Sequence, residues 1–313
     1  MACSFTGCSG RHAKAQAIAT GHFDKPPAAE SNEGKKRALI ICGHPGDEEY
    51  AELFSEWTDR IRASLLGRFG FAREEVWVWF GVEQQDQSLV ESRGPATREA
   101  IREGVRQLRD VLAEEDELWV IVIAHAHAEP RQTQLNLPGP DVTAMQFGEW
   151  FAGATCRRSI FFITTPLSGY FVKPLSAPGR VVIAATEADF EINATLFPAA
   201  LAKNLESFPE GEKEDFDKDG AHSLLDFYVS VAEDVAAQYE QDELIATEHA
   251  QLDDNGDGHG TELQYDDLDP RDRRPIGDAV AKKADRDGDL ARTIPMIPSA
   301  PKTSSLDRAD ASE

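Results

Sequence analysis

Two hydrophobic rhythms alternate between residues 37 and 187. Segments 37–43, 75–81, 117–125, 158–165 and 179–186 are almost continuously apolar and rich in β-branched or aromatic residues, EVWVWFG being the most concentrated. Runs of that length and composition predict strands. Between them apolar residues recur every three or four positions. Tyr50, Leu53, Phe54, Trp57, Ile61, Leu65 and Leu66 predict a helix over 48–69, stopped by Gly70. Ile101, Val105, Leu108 and Leu112 mark one face of a helix over 96–115, and a further helix is predicted over 143–154. Strands apolar on both faces, separated by helices, form a parallel sheet covered on both sides. The expected class is α/β, an open, mostly parallel doubly wound sheet whose functional groups gather at the carboxyl ends of the strands.

Beyond the sheet the pattern predicts a helix over 193–207, an acidic turn over 215–226, a helix to about residue 241 and a second acidic turn over 253–260. Residues 1–35 have little apolar periodicity and are expected to be a disordered leader; from 266 onward Pro, Asp, Arg and Ser dominate and predict a disordered tail. The expected organisation is leader 1–35, α/β domain 36–210, helical extension with acidic loops 211–265, and tail 266–313.

Composition narrows the partners. The chain has 313 residues, with 32 Lys+Arg against 56 Asp+Glu and a formal charge of -24. A polyanion repels nucleic acid and anionic membrane and collects cations. No apolar run approaches the roughly 20 residues of a membrane span. Cys3, Cys8, Cys42 and Cys156 have no zinc-knuckle spacing, and Cys42 and Cys156 fall in or beside predicted strands as ordinary buried residues. Phe5-Thr6-Gly7-Cys8 loosely resembles a lipobox without an apolar stretch before it. The compartment is therefore left open: cytoplasmic as the sequence is written, extracytoplasmic if an export signal precedes it.

Two strand ends carry the candidate chemistry. The third predicted strand closes on Ile123-Ala124-His125-Ala126-His127 and the fourth on Thr164-Thr165-Pro166-Leu167-Ser168-Gly169. Such ends are neighbours in an open sheet, which is what a base and a nucleophile require. With Asn136-Leu137-Pro138-Gly139-Pro140-Asp141 and the fifth strand Gly179-Arg180-Val181-Val182-Ile183-Ala184-Ala185-Thr186, residues 36–262 resemble the legumain/caspase (clan CD) cysteine peptidases, and within them the bacterial legumain-like branch with acidic calcium-type turns. The resemblance implies a caspase/legumain-like sheet with His125 as general base. It puts the nucleophile three residues before Gly169, in a Cys-x-Ser-Gly arrangement. Pro166 stands there, without thiol, hydroxyl or backbone N–H, and the family's His-Gly is His125-Ala126. The expectation is an inactive peptidase homologue, with His125 a vestigial base and a peptide or protein as its ligand. Ser168 is the alternative nucleophile.

A second resemblance competes. His44-Pro45-Gly46-Asp47-Glu48 is similar to the His-Pro-Asp-Asp-Glu motif of zinc-dependent sugar deacetylases, and His125 with His127 would complete a site with His44 and Asp47. The plainer reading makes 44–48 a turn in which Asp47 or Glu48 favours the start of the next helix. Zinc is accordingly not expected.

The segment from Asp215 to Asp226 follows the calcium-loop template: Asp215, Asp217 and Asp219 at positions one, three and five, Gly220 at six, Ser223 at nine and Asp226 at twelve. His222 at eight and the short Asp226 at twelve depart from it and imply weaker calcium binding or acceptance of magnesium. Asp253, Asn255 and Asp257 repeat its first half without an acid at twelve, and residues 285–289 are a fainter echo. The expected ion is structural and EF-hand-like. Ligand and oligomeric state are not legible.

Overall fold

The computed structural model describes residues 34–81, 92–129, 132–209, 214–263 and 287–296. Cys3, Cys8 and most of the expected leader and tail lie outside them. One six-stranded sheet organises the rest, in the order β2-β1-β3-β7-β8-β9. Its parallel members are β1 (Lys36–Cys42), β2 (Val76–Phe80), β3 (Glu117–Ile123), β7 (Arg158–Ile163) and β8 (Arg180–Ala184). The antiparallel β9 (Gln251–Asp253) pairs Leu252 with Ile183. The mixed α/β class and mostly parallel sheet are as the pattern predicts.

Side-chain alternation builds two cores. Ala38, Ile40 and Cys42 of β1, Trp119 and Ile121 of β3 and Phe162 of β7 face one side. There they meet α1 (Glu48–Gly67), α5 (Phe197–Ser207) and α6 (Leu224–Gln241). Leu39, Val120, Phe161 and Val182 face the other, against α2 (Arg98–Val111), α3 (Ala144–Phe151) and α4 (Gly169–Leu175). Helix starts follow local capping rules: Asp47 accepts from Tyr50 N at 2.9 Å, and Thr143 forms a capping box with Gln146.

Burial also shapes the amino ends of the strands. Arg37 pairs with Glu75 and with Asp116 (2.8 Å), and Arg158 with Glu117 (2.5 Å). At the outer edge of β2, Arg93 N donates to Val78 O (2.7 Å), Phe80 N donates to Gly94 O (3.1 Å), and the Arg93 guanidinium lies 3.7 Å from the centre of the Trp77 ring.

Several expectations change. Within residues 214–263, α6 buries Phe227, Val231 and Val235 in the first core and β9 joins the sheet, so this segment packs with the α/β core. A small antiparallel sheet of β4 (Ala126–Glu129), β5 (Gln132–Leu135) and β6 (Val142–Thr143) forms between β3 and α3, a segment for which the sequence pattern predicts no strand. Nor does a featureless tail extend over 287–296, because Ala291, Ile294 and Met296 are buried in the first core. That segment straps two loops together. Asp254 accepts from Gly288 N (2.9 Å) and Ala291 N (2.7 Å); further on, Leu224 N donates to Ile294 O (2.8 Å) and Met296 N to His222 O (2.9 Å).

Candidate functional site

With the parallel strands running β2-β1-β3-β7-β8, the chain reverses its winding direction between β1 and β3, the position where open α/β sheets bind ligands. Gly43-His44-Pro45 leaves β1 there and Ala124-His125 leaves β3. His125 and Pro166 line one crevice with Tyr50, Phe54, Trp57 and Thr195. The juxtaposition expected from the strand ends is therefore present, and its contents differ from those of a hydrolytic centre.

His125 is held by one hydrogen bond and two aromatic rings. Its Nε2 lies 2.9 Å from Pro45 O; a carbonyl only accepts, so the proton is on Nε2. Tyr50 meets the imidazole edge to face at 4.5 Å between centroids, and Phe54 is tilted against it at 5.1 Å. The remaining space is about 10 Å³, the room of about one water. An acyl group has nowhere to sit between His125 and Pro166.

The turn after β7 is tight. Leu167 is buried with φ of 54° and hands its N–H to Glu191 O (3.1 Å). A left-handed leucine costs about 1–2 kcal/mol, offset here by its burial. Ser168, the alternative nucleophile, is 0% exposed. Its Oγ lies 3.0 Å from Thr186 Oγ1 and accepts from Thr186 N at 2.9 Å, while Ser168 N donates to Thr186 Oγ1 at 2.8 Å. This reciprocal pair ties β7 to β8 and leaves Ser168 as a fastening. Gly169 permits the closeness, since a Cβ there would lie 2.4 Å from Ala188 N. Thr165 is buried and donates to Pro166 O at 3.0 Å.

The thiols offer no replacement. Cys42 closes β1 fully buried, and burial pushes its thiol up to about 12. Cys156 precedes β7 at the opposite end of the sheet, with its thiol pushed up by burial.

The zinc set is not assembled. His44 Nδ1 accepts from Gly46 N at 3.0 Å, Asp47 caps α1, and His127 Nδ1 lies 2.6 Å from Asn136 Oδ1 on the small sheet. Among the described residues the one group of three potential ligand side chains within 4.8 Å is Asp215, Asp217 and Asp219.

Those three belong to the first acidic loop. Asp215 accepts from Asp219 N (3.0 Å) and Gly220 N (3.0 Å), and Asp219 accepts from Ala221 N (2.8 Å). Gly220 has φ of 89°, as the sixth position of the template requires. Burial, then Asp226 and Asp219, push the Asp217 carboxyl above its usual range, while Arg292 opposes the rise. Ser223 and Asp226, expected as ligands, turn to each other instead. Asp226 Oδ2 accepts from Ser223 N (2.9 Å) and Oγ (2.5 Å), and Asp226 Oδ1 accepts from Phe216 N (2.8 Å). This capping box starts α6.

The second loop repeats the turn. Asp253 accepts from Gly256 N (3.0 Å) and Gly258 N (3.1 Å), Asn255 from Asp257 N (2.8 Å) and Asp257 from His259 N (2.8 Å). With Asn255 at the third position and no acid at the twelfth, it carries two template carboxylates where the first loop carries four. Of the faint third echo, Asp285 and Arg286 lie outside the described residues; Asp287 accepts from Asp254 N at 3.3 Å, and burial pushes its carboxyl up to about 6.

No family model matches the chain, and neither does any curated protein. Among solved structures it is similar to a Geobacter sulfurreducens protein determined by structural genomics, at 11% identity with a TM-score of 0.41, covering 70% of this chain and 92% of that one. It is also similar to a secreted C11 cysteine protease from Bacteroides thetaiotaomicron, solved with an irreversible peptide inhibitor. There the identity is 12% and the TM-score 0.38, over 70% of this chain and 66% of the protease. Neither likeness establishes a family. Among the described residues no helix is long and apolar enough to cross a membrane.

Proposed function

We propose that this chain is a non-catalytic binding protein, an inactive homologue of clan CD peptidases in which the strand-end site has become packing. One observation carries the reading: His125 and Pro166 share a crevice with room for about one water and no thiol, and its threonine hydroxyls, Thr164 and Thr195, donate to backbone carbonyls. The pinned Nε2 of His125 and the fastened hydroxyl of Ser168 support it. Incubation with a peptide library rich in Asn and Asp, followed by mass spectrometry, is expected to return every peptide intact. Cleavage abolished by His125→Ala would overturn the reading. Stoichiometric zinc lost on His44→Ala would replace it with metal-dependent hydrolysis.

The same reading gives the first acidic loop a structural calcium ion, or magnesium at higher concentration. Three carboxylates within 4.8 Å around a left-handed glycine support it. An ion held only by the folded state raises stability by mass action, by about 2.7 kcal/mol at a hundredfold excess over Kd. An unchanged melting temperature in EDTA and in millimolar calcium would remove the ion from the account.

A further inference from the structure

A cavity of about 430 Å³ lies between α6, residues 246–250 leading into β9, and residues 262–263 after it. It shares no wall residue with the strand-end crevice. That size is within the range of small-molecule pockets. Val229, Ala232, Val235 and Ala236 of α6 wall it, together with Ala246 and Ala250 from the approach to β9. The short alanine side chains leave the volume open, and the surface they present is apolar.

One wall residue is a histidine held by a buried acid. Glu191, 8% exposed, pairs through Oε1 with His249 Nδ1, while its Oε2 accepts from Glu187 N (2.6 Å) and His249 N (3.2 Å). A carboxylate only accepts, so in the neutral ring Nδ1 carries the proton and Nε2 the lone pair. Glu191 is not among the cavity walls, whereas Glu262, which is, acts on the imidazole through its charge. The ring thus stands between Glu191 and the cavity, and its Nε2 edge is the one left for the cavity. Among the described residues nothing meets that nitrogen by hydrogen bond or ion pair. A histidine with one nitrogen fixed by a carboxylate presents the other in a defined direction and tautomer.

The other polar side chains of the wall divide into committed and open. Tyr228 donates its hydroxyl to Ala250 O at 2.6 Å. Glu248 accepts from Leu196 N (2.5 Å), Phe197 N (3.1 Å) and Tyr239 OH (3.0 Å). Glu262 is engaged in an interaction of its own. Glu233 pairs with no cation among the described residues, and burial and the neighbouring Asp234 push its carboxyl above the usual range. The open side-chain groups are therefore two acceptors, Glu233 and His249 Nε2, and the described wall holds no lysine or arginine. Acceptors set on an apolar floor call for a ligand that brings the donors.

We propose that this cavity is a binding site for a small organic ammonium compound. Its apolar body lies against the alanines and valines of α6, and its N–H groups donate to His249 Nε2 and Glu233. An ammonium brings three donors and a positive charge to a wall of acceptors, whereas a carboxylate ligand would add to the charge already there. A proton competes for the same lone pair. The hydrogen bond to Glu191 raises the imidazole's hold on a proton, burial opposes it, and the charges of Glu262 and Glu187 add to the rise. With Glu191, Glu187 and Glu262 facing the ring and Glu233 and Glu248 on the wall, every group that gains a proton as pH falls makes the cavity less attractive to a cation. The inference goes beyond the non-catalytic reading and uses none of its residues, so either can fail alone.

Isothermal titration calorimetry of the full chain with phenethylamine at about pH 8.5, which favours the neutral imidazole, tests it. Phenylpropionate, of like shape and opposite charge, and methylamine, which lacks the apolar body, are the controls. Phenethylamine is expected to bind at least about tenfold more tightly than either. Ala236→Trp, which fills the cavity from an exposed position of α6, is expected to weaken it about tenfold, and Glu233→Gln about threefold. Lowering the pH to about 6 is expected to weaken it severalfold, and His249→Gln, which keeps an acceptor that does not titrate, to reduce that dependence. Equal binding of phenylpropionate would show that charge does not select the ligand and would overturn the proposal. So would equal binding of methylamine, or binding unmoved by both Ala236→Trp and Glu233→Gln, either of which means general attraction to a polyanion. An affinity independent of pH would remove His249 Nε2 as the acceptor and overturn the site as drawn.

Discussion

Arg292 brings its Nε to 2.6 Å from Asp217 Oδ2, at angles that make a contact of two charges rather than a hydrogen bond. The Asp217 side chain is 1% exposed, so the arginine already supplies a cation to the third position of the first acidic loop. An ion and Arg292 therefore act on the same carboxylate. In EDTA, Arg292→Ala is expected to lower stability by about 1–3 kcal/mol, because a buried charge loses its partner. Millimolar calcium should close part of that gap. Differential scanning fluorimetry of both proteins under both conditions measures it; an equal gap would show that ion and arginine do not share Asp217.

Restoring a thiol should not restore a peptidase. In Pro166→Cys the new Sγ would face a histidine whose Nε2 proton is committed to Pro45 O, inside a crevice walled by Tyr50, Phe54 and Trp57. The expected result is slow alkylation by iodoacetamide and no peptide cleavage, since a nucleophile needs an oriented base and room for the acyl group. Rapid alkylation together with turnover would show that the crevice opens in solution.

Ser168→Ala separates a fastening from a nucleophile. The change orphans the buried Thr186 N–H, so unfolding in urea is expected to cost about 1–3 kcal/mol less than in the parent. A variant of unchanged stability would contradict the fastening role.

Glu248 links stability to pH. Burial, reinforced by Glu191, pushes its carboxyl up to about 7, against the opposing hydrogen bonds from Leu196 N, Tyr239 OH and Phe197 N. The folded state thus holds this proton more tightly than the unfolded chain, where a glutamate titrates near 4.3. The contribution is fully present below the unfolded value and is lost as pH rises through about 7. The groups around it are Glu191, His249 and Tyr239, and all of them remain in Glu248→Gln. Between pH 5 and 8 the parent should lose as much as about 3 kcal/mol relative to that variant. Parallel stability curves would show that Glu248 keeps its ordinary affinity for protons.

How much of this was legible follows from what each element buries. The five parallel strands could be read because both of their faces are covered, making Leu118 to Ile123 apolar at every step. β5, Gln132–Leu135, buries only one side and reads as polar chain, while β9 has three residues. α4 runs seven residues through Pro174, too short for a period and carrying a helix breaker. The strap over 287–296 places only three apolar residues in the core among polar ones, below what composition can register. At the site, the meeting of His125 and Pro166 followed from strand ends in a parallel sheet. What fills the crevice did not, because periodicity marks Tyr50, Phe54 and Trp57 as inward-facing without saying what they cover. The Ser168–Thr186 fastening joins residues 18 apart across two strand ends and leaves no local signal.

The treatment of β2 bears on how copies of this chain meet. Val-Trp-Val-Trp-Phe is five uncharged residues of high strand propensity on the outer edge of a sheet, the kind of segment that templates intermolecular pairing and fibril growth. Here that edge is partly spent within the molecule: Arg93 and Gly94 take two of its hydrogen bonds, and the Arg93 guanidinium lies against Trp77 as a charged gatekeeper. At the opposite edge β9 is too short to seed an added strand. Both margins of this apolar sheet are therefore poor templates for an added strand: one is partly paired within the molecule and the other is short.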